Sequence, residues 1–187
     1  LLVEDAPTPR EAAKIVFPWT VEQKDMIVRH NGSQQIVDGW MLNVRSDDGS
    51  QLGVVGDGYR VVQPLDMANF AEALLDEGQV KIESAGSVRG GKRLWFLLKG
   101  EQFSVALSDQ IAPYILLSNG YDGNTTFRVT PTIVRVVCSN TLHTVIPHFD
   151  TGVLGSSAIS IRHTYSVMER IAEAKAALTT YGKAIEE

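Results

Sequence analysis

The chain predicts an α+β fold: a mostly antiparallel, twisted sheet of hairpins with two or three helices, one of them a long C-terminal helix. Three observations carry this. Strand-like segments follow one another through glycine-rich turns, without the regular alternation with helices that a doubly wound parallel sheet needs. A few segments instead space their apolar residues three to four apart, as a half-buried helix does. The 187 residues are 44% hydrophobic and 21% charged, the balance of one globular domain over residues 1–187. The apolar content and modest net charge exclude disorder, the lack of a strict glycine period excludes collagen, and the lack of a stretch of about 18 uninterrupted apolar residues excludes a membrane span.

Each element follows from local chemistry. Thr8-Pro9-Arg10-Glu11 sets a cap before a first-turn proline, so a short helix runs to about Val16 and stops before Pro18. Residues 19–28 read as a strand. Residues 40–45 and 52–55 form a hairpin through Asp47-Asp48-Gly49. Pro64-Leu65-Asp66 opens an amphipathic helix with apolar residues at 67, 70, 71, 74 and 75, closed by Gly78. Residues 80–88 and 94–98 pair through Arg89-Gly90-Gly91-Lys92-Arg93, so the most basic stretch is a hairpin tip. Residues 103–107, 114–118 and 127–137 are further strands, the last marked as an edge or bulge by Pro131; seven to nine strands are expected in all. Residues 140–146 suit one short helix. Ser166-Val167-Met168-Glu169 has the form of a capping box, with Met168, Ile171, Leu178, Tyr181 and Ile185 striping the long final helix. The absence of a starting Met and the end inside a helical pattern read as a fragment of a longer chain.

The net charge of −5 conceals an asymmetry. Residues 1–85 hold 7 Lys/Arg and 14 Asp/Glu, whereas residues 86–163 hold 7 and 4. Arg89, Lys92, Arg93 and Lys99 fall in an acid-free run over 86–100, and Arg128, Arg135 and Arg162 follow. A solvated face accounts for such a run; so does a phosphate-facing surface. Trp95 and Phe96 alternate beside the basic tip, so on a sheet packed on one face only one of them is core and Trp95 is offered for base stacking.

Other chemistries find little. Gly53, Gly56 and Gly58 lack dinucleotide-binding spacing, and no Gly-Lys-Ser/Thr occurs. Cys138 with His143 lacks a third orienting group, and a lone cysteine after an apolar strand is expected in the core. His143, His148 and Asp150 offer mixed nitrogen and oxygen ligands, but Pro147 breaks the element between them. Asp47 and Asp48 are turn residues without a pocket to split their pKa values. The single cysteine and the lack of a leader pattern point to a reducing cytoplasm.

Five segments carry a likeness: Leu52 to Tyr59, Gly91 to Trp95, Ser118 to Gly123, Thr132 to Leu142 with its Arg-Val-Val-Cys-Ser-Asn-Thr-Leu run, and Ile161 to Thr164. They resemble the phage/plasmid-like protein family, domain-of-unknown-function family 932. The sequence departs at Asn119 and Tyr121, where relatives often place a histidine before an Asp-Gly turn. The resemblance implies genes carried by phages, plasmids and integrated elements, and no transferable activity. Such elements often encode single-strand handling proteins, and by analogy with the Red-beta and RecT kind a strand-annealing role is expected.

The expected function is therefore a non-enzymatic, homo-oligomeric accessory protein that binds or anneals single-stranded DNA and needs no cofactor. Arg89, Lys92, Arg93, Arg128, Arg135 and Arg162 would meet phosphates and Trp95 a base. Two alternatives are a protein-interaction module that regulates or counters a host factor through the acidic first half, and a metal-dependent hydrolase or nuclease using His143, His148 and Asp150.

Overall fold

The computed structural model describes residues 8–74, 81–100, 103–105, 109–111, 114–138, 140–142, 145 and 159–176. Helix α1, Pro9–Val16, starts as the sequence predicts: Thr8 is extended and its hydroxyl accepts the Glu11 N–H at 3.2 Å. Its Ala12 and Ala13 are buried, and Arg10 pairs with Glu72 at 2.9 Å, tying α1 to the second helix. That helix, α2, covers Pro64–Leu74; Asp66 reaches back to the Gln63 N–H at 2.9 Å, the return half of a capping box. Gly78 lies outside the described residues.

Strands β1 (Val21–His30), β2 (Ser33–Arg45) and β3 (Gln51–Gly56) form one antiparallel sheet in that order. Residues 29–39, which the sequence analysis assigns to no strand, are the outer part of a long β1–β2 hairpin. Asn31 and Gly32, at φ 49° and 80°, make its two-residue turn. Residues 37–40 stand opposite Met26 alone, so the hairpin is bulged in the middle. The turn at Gly49, φ 70°, joins β2 to β3 as predicted.

Strands β4 (Lys81–Val88) and β5 (Arg93–Lys99) flank a 3₁₀ turn over Arg89–Gly91. Strands β6 (Phe103–Val105) and β7 (Asp109–Ile111) pair only with each other. With β8 (Tyr114–Gly120), β9 (Phe127–Thr132) and β10 (Ile159–Ile161), strands β4 and β5 build a five-stranded antiparallel sheet of order β10-β9-β8-β5-β4. Ten strands are thus described. Pro131 sits beyond the short β10, whose ladder spans residues 127–129 of β9, so its missing donor is tolerated at an effective edge.

The five-stranded sheet is buried on both faces. Leu94, Phe96, Leu98, Leu117 and Val129 face α1, α2 and the main core. Trp95, Leu97 and Leu116 face a second core closed by Val136, Leu142 and Val145. This corrects the expectation that Trp95 is available: it is 4% exposed and lies over Gly86, its register partner, where any β-carbon would collide with the indole.

The C-terminal helix also differs from expectation. Its described part is ten residues, a 3₁₀ turn at Val167–Arg170 running into helix over 171–176; residues 177–187 lie outside the described residues. The Ser166 side chain makes no capping bond, so the Ser-x-x-Glu pattern does not close. Val167 and Ala174 are the buried positions, while Met168 is exposed.

Candidate functional site

Antiparallel pairing brings the ends of β4, β8 and β10 and the starts of β5 and β9 to one end of the five-stranded sheet. Arg89, Lys92 and Arg93 stand at one corner of that end, Arg128 is the second residue of β9, and Arg162 follows β10 directly. With neighbouring strands about 4.8 Å apart, β5 and β10 are separated by ~14 Å. Arg135 is not with them. It follows β9 at the opposite end, ion-paired with Glu83 near the start of β4.

The corner cations differ in freedom. Arg89 is exposed, at the unusual φ of 54° for a non-glycine residue. Lys92 is half-buried, its carbonyl accepting the Tyr121 N–H at 2.9 Å. The Arg93 Nε lies 3.6 Å from an Asp122 carboxylate oxygen, so much of its charge is spent on the protein. Arg128 is half-buried and donates to the Thr126 hydroxyl at 3.4 Å. Arg162 is exposed. Among the described residues, Arg89, Lys92 and Arg162 enter no ion pair, nor does Arg60, an exposed cation that the sequence analysis does not single out.

Arg60 belongs here because of a clamp. Its N–H donates to the His163 carbonyl at 2.6 Å, and its own carbonyl lies 3.1 Å from His163 Nδ1. His163 Nε2 faces the Thr125 carbonyl at 3.2 Å, and the ring stacks on Tyr59 with centroids 4.4 Å apart and planes 20° off parallel. Tyr59 Oη donates to the Gly120 carbonyl at 2.8 Å. Burial pushes the His163 imidazole below its ordinary pKa, prevailing over the two carbonyls and the Asp122 charge, which act the other way. Burial also raises the Tyr59 phenol far above its usual value.

The clamp backs a cavity of about 440 Å³ lined by Gly58, Tyr59, Asn124, Thr126, Arg162 and His163, among others. Its loop is set by Asp122, whose Oδ1 accepts the N–H groups of Asn124 at 3.0 Å and Thr125 at 2.9 Å. Burial pushes that carboxyl up, but these donors, the Thr125 hydroxyl and the Arg93 charge together hold it below its ordinary value. Gly53 admits the loop: a β-carbon there would stand 2.5 Å from the Asp122 Cα. Asn43 Nδ2 donates to the Tyr121 carbonyl at 3.1 Å, so both sheets hold the same turn.

Two exposed aromatic rings border this region. Trp40, 51% exposed, is the register partner of Gly56 on the cavity wall. Tyr165, 54% exposed, closes a turn onto the Arg162 carbonyl at 3.2 Å, with the Arg170 guanidinium 5.8 Å from its ring. Of the segments singled out in the sequence, 52–59, 91–95, 118–123 and 161–164 thus meet at one sheet end. Of the remaining segment, Val134, Val136 and Leu142 lie instead at the second core.

Both His163 nitrogens face carbonyls and the Asp122 carboxylate is engaged by its own loop. Among the described residues no three His, Cys, Asp or Glu side chains gather as metal ligands, and His143, His148 and Asp150 lie outside them. Cys138 is exposed rather than core. No described helix is long and apolar enough to cross a membrane.

Residues 51–187 match the family described as Domain of unknown function (DUF932), and the chain belongs to it. Compared with curated proteins and with solved structures, the chain matches none.

Proposed function

We propose that the chain binds single-stranded DNA without catalysis, along the sheet end formed by the β4–β5 tip and the clamp around His163. One observation carries the reading: Arg60, Arg89, Lys92 and Arg162, free of ion pairs among the described residues, gather at the end where Trp40 and Tyr165 are exposed. Cations displace the counterions condensed on phosphates, and aromatic rings supply sequence-tolerant stacking. Arg93 positions the Asp122 loop, Arg135 belongs to the far end of the sheet, and Tyr165 and Trp40 take the stacking role for which Trp95 is too deeply buried. Neutralised strands then approach one another, which is all that annealing asks of the protein. Homo-oligomers would lengthen the track, and a reducing cytoplasm suits the exposed thiol of Cys138.

Fluorescence anisotropy with a labelled single strand tests this. Arg162→Ala is expected to weaken binding alike for all sequences, while Arg135→Ala leaves it unchanged. Equal effects of the two variants would remove the sheet end from the reading. Absence of DNA retention at low salt, with capture of a host protein, would favour the protein-interaction alternative.

A further inference from the structure

Strand β1 is an edge of the three-stranded sheet, and its outer half is exposed. The Gln63 side-chain amide donates to the Val21 carbonyl and accepts the Val21 N–H, each at 2.9 Å, so Val21 turns its backbone groups away from β2. By the two-residue period, Gln23, Asp25, Ile27 and Arg29 turn theirs the same way. The far end agrees: a two-residue turn makes His30 and Ser33 the hydrogen-bonded pair, which again leaves 27 and 29 pointing outward. Ile27 is 56% exposed, and its cross-strand neighbour Ile36 is 60% exposed. A long edge whose outward backbone groups at Asp25, Ile27 and Arg29 have no partner among the described residues, beside an apolar pair, invites another strand.

We propose that two copies of the chain pair through β1, antiparallel, about a two-fold axis at Ile27. In that register Ile27 meets the partner's Ile27, Asp25 meets the partner's Arg29, and Arg29 meets the partner's Asp25. All three pairs use outward-pointing backbone groups, giving about six new hydrogen bonds. The charges select the register. Moving the axis to Asp25 sets that carboxylate against its own copy and brings in Val21, whose groups Gln63 already occupies. Moving it to Arg29 sets guanidinium against guanidinium. Moving it one residue, to Met26 or Val28, keeps outward groups opposed but sets Ile27 against the partner's Asp25 or the partner's Arg29 and leaves no opposite charges paired; an axis between two residues opposes outward groups to inward ones. The proposal rests on the β1 register and is independent of the nucleic-acid reading.

Sedimentation equilibrium of the full chain tests it, with circular dichroism confirming that each variant is folded. The unaltered protein is expected to be a dimer. Asp25→Arg and Arg29→Asp each place like charges opposite one another twice, and each is expected to raise the dissociation constant about tenfold or more. The double exchange, Asp25→Arg with Arg29→Asp, restores both pairs and should return it to within about twofold of the original. A monomer at micromolar concentrations, a dimer indifferent to the single changes, or a double variant that is not restored would overturn the proposal.

Discussion

His163 links protonation to the fold. Its imidazole is held below the ordinary value by burial, whereas in the unfolded chain it titrates near pH 6.5. Below that pH the unfolded state takes up a proton that the folded ring resists. The contribution is therefore complete above pH 6.5 and is lost as pH falls through the folded value. Urea midpoints should fall between pH 7 and pH 5, and less steeply in His163→Ala, which itself costs about 2 kcal/mol through a lost hydrogen bond and lost packing on Tyr59. A variant with the original pH slope would contradict this role. At Cys138 the direction has another source: the Thr141 N–H first, then its hydroxyl 3.6 Å from Sγ and the Asn140 N–H, hold the exposed thiol below its usual value. Alkylation of folded protein should reach its half-maximal rate at a lower pH than in denaturant, and Thr141→Val should move it upward. Identical profiles would refute the contact. The apolar run before this thiol predicts a core position, yet β9 ends at Thr132 and the chain leaves the sheet before Cys138. Trp95 is the converse case, since alternation tells which side of a strand a residue faces but not whether that side is covered.

Elements were legible where the chemistry is local. Thr8 and Pro9 start α1, Gly49 turns β2 into β3, and Arg89-Gly90-Gly91 joins β4 to β5 with φ values of 54°, 69° and 95°. The Asn31-Gly32 turn carries an equally strong local signal; it is hidden because Ser33 to Asp38 is mostly polar and exposed, with its two apolar residues, Ile36 and Val37, adjacent rather than in the alternation that marks a half-buried strand. The Ser166 box failed for the opposite reason, a sequence pattern that the 3₁₀ geometry at Val167–Arg170 does not use. What no local signal carries is the docking of one sheet on the turn of the other. Gly53→Ala probes it: the new methyl would press on the Asp122 backbone, which cannot yield as a side-chain tip does, and ~2 kcal/mol of stability should be lost. Gly58→Ala, with open space at the same distance, should cost far less. Equal thermal midpoints for the two variants would show that the turn is not seated on β3.

At the scale of the molecule, the segment counts exposed the basic middle of the chain, but only strand order decides where each cation stands. Because β8 lies between β5 and β9, the 89–93 tip and Arg162 share one end while Arg135 goes to the other. Arg60, 102 positions before Arg162 in the chain, arrives through the His163 clamp, a contact between distant segments that no spacing rule reveals. The family membership fixes kinship without fixing activity, so the reading stands on the placement of charge. The salt dependence of single-strand binding tests that placement most directly. Four phosphate contacts, by Arg60, Arg89, Lys92 and Arg162, predict a slope of log K against log salt of about −3, which should approach zero when all four are changed to alanine. A slope that survives the fourfold change would contradict the account.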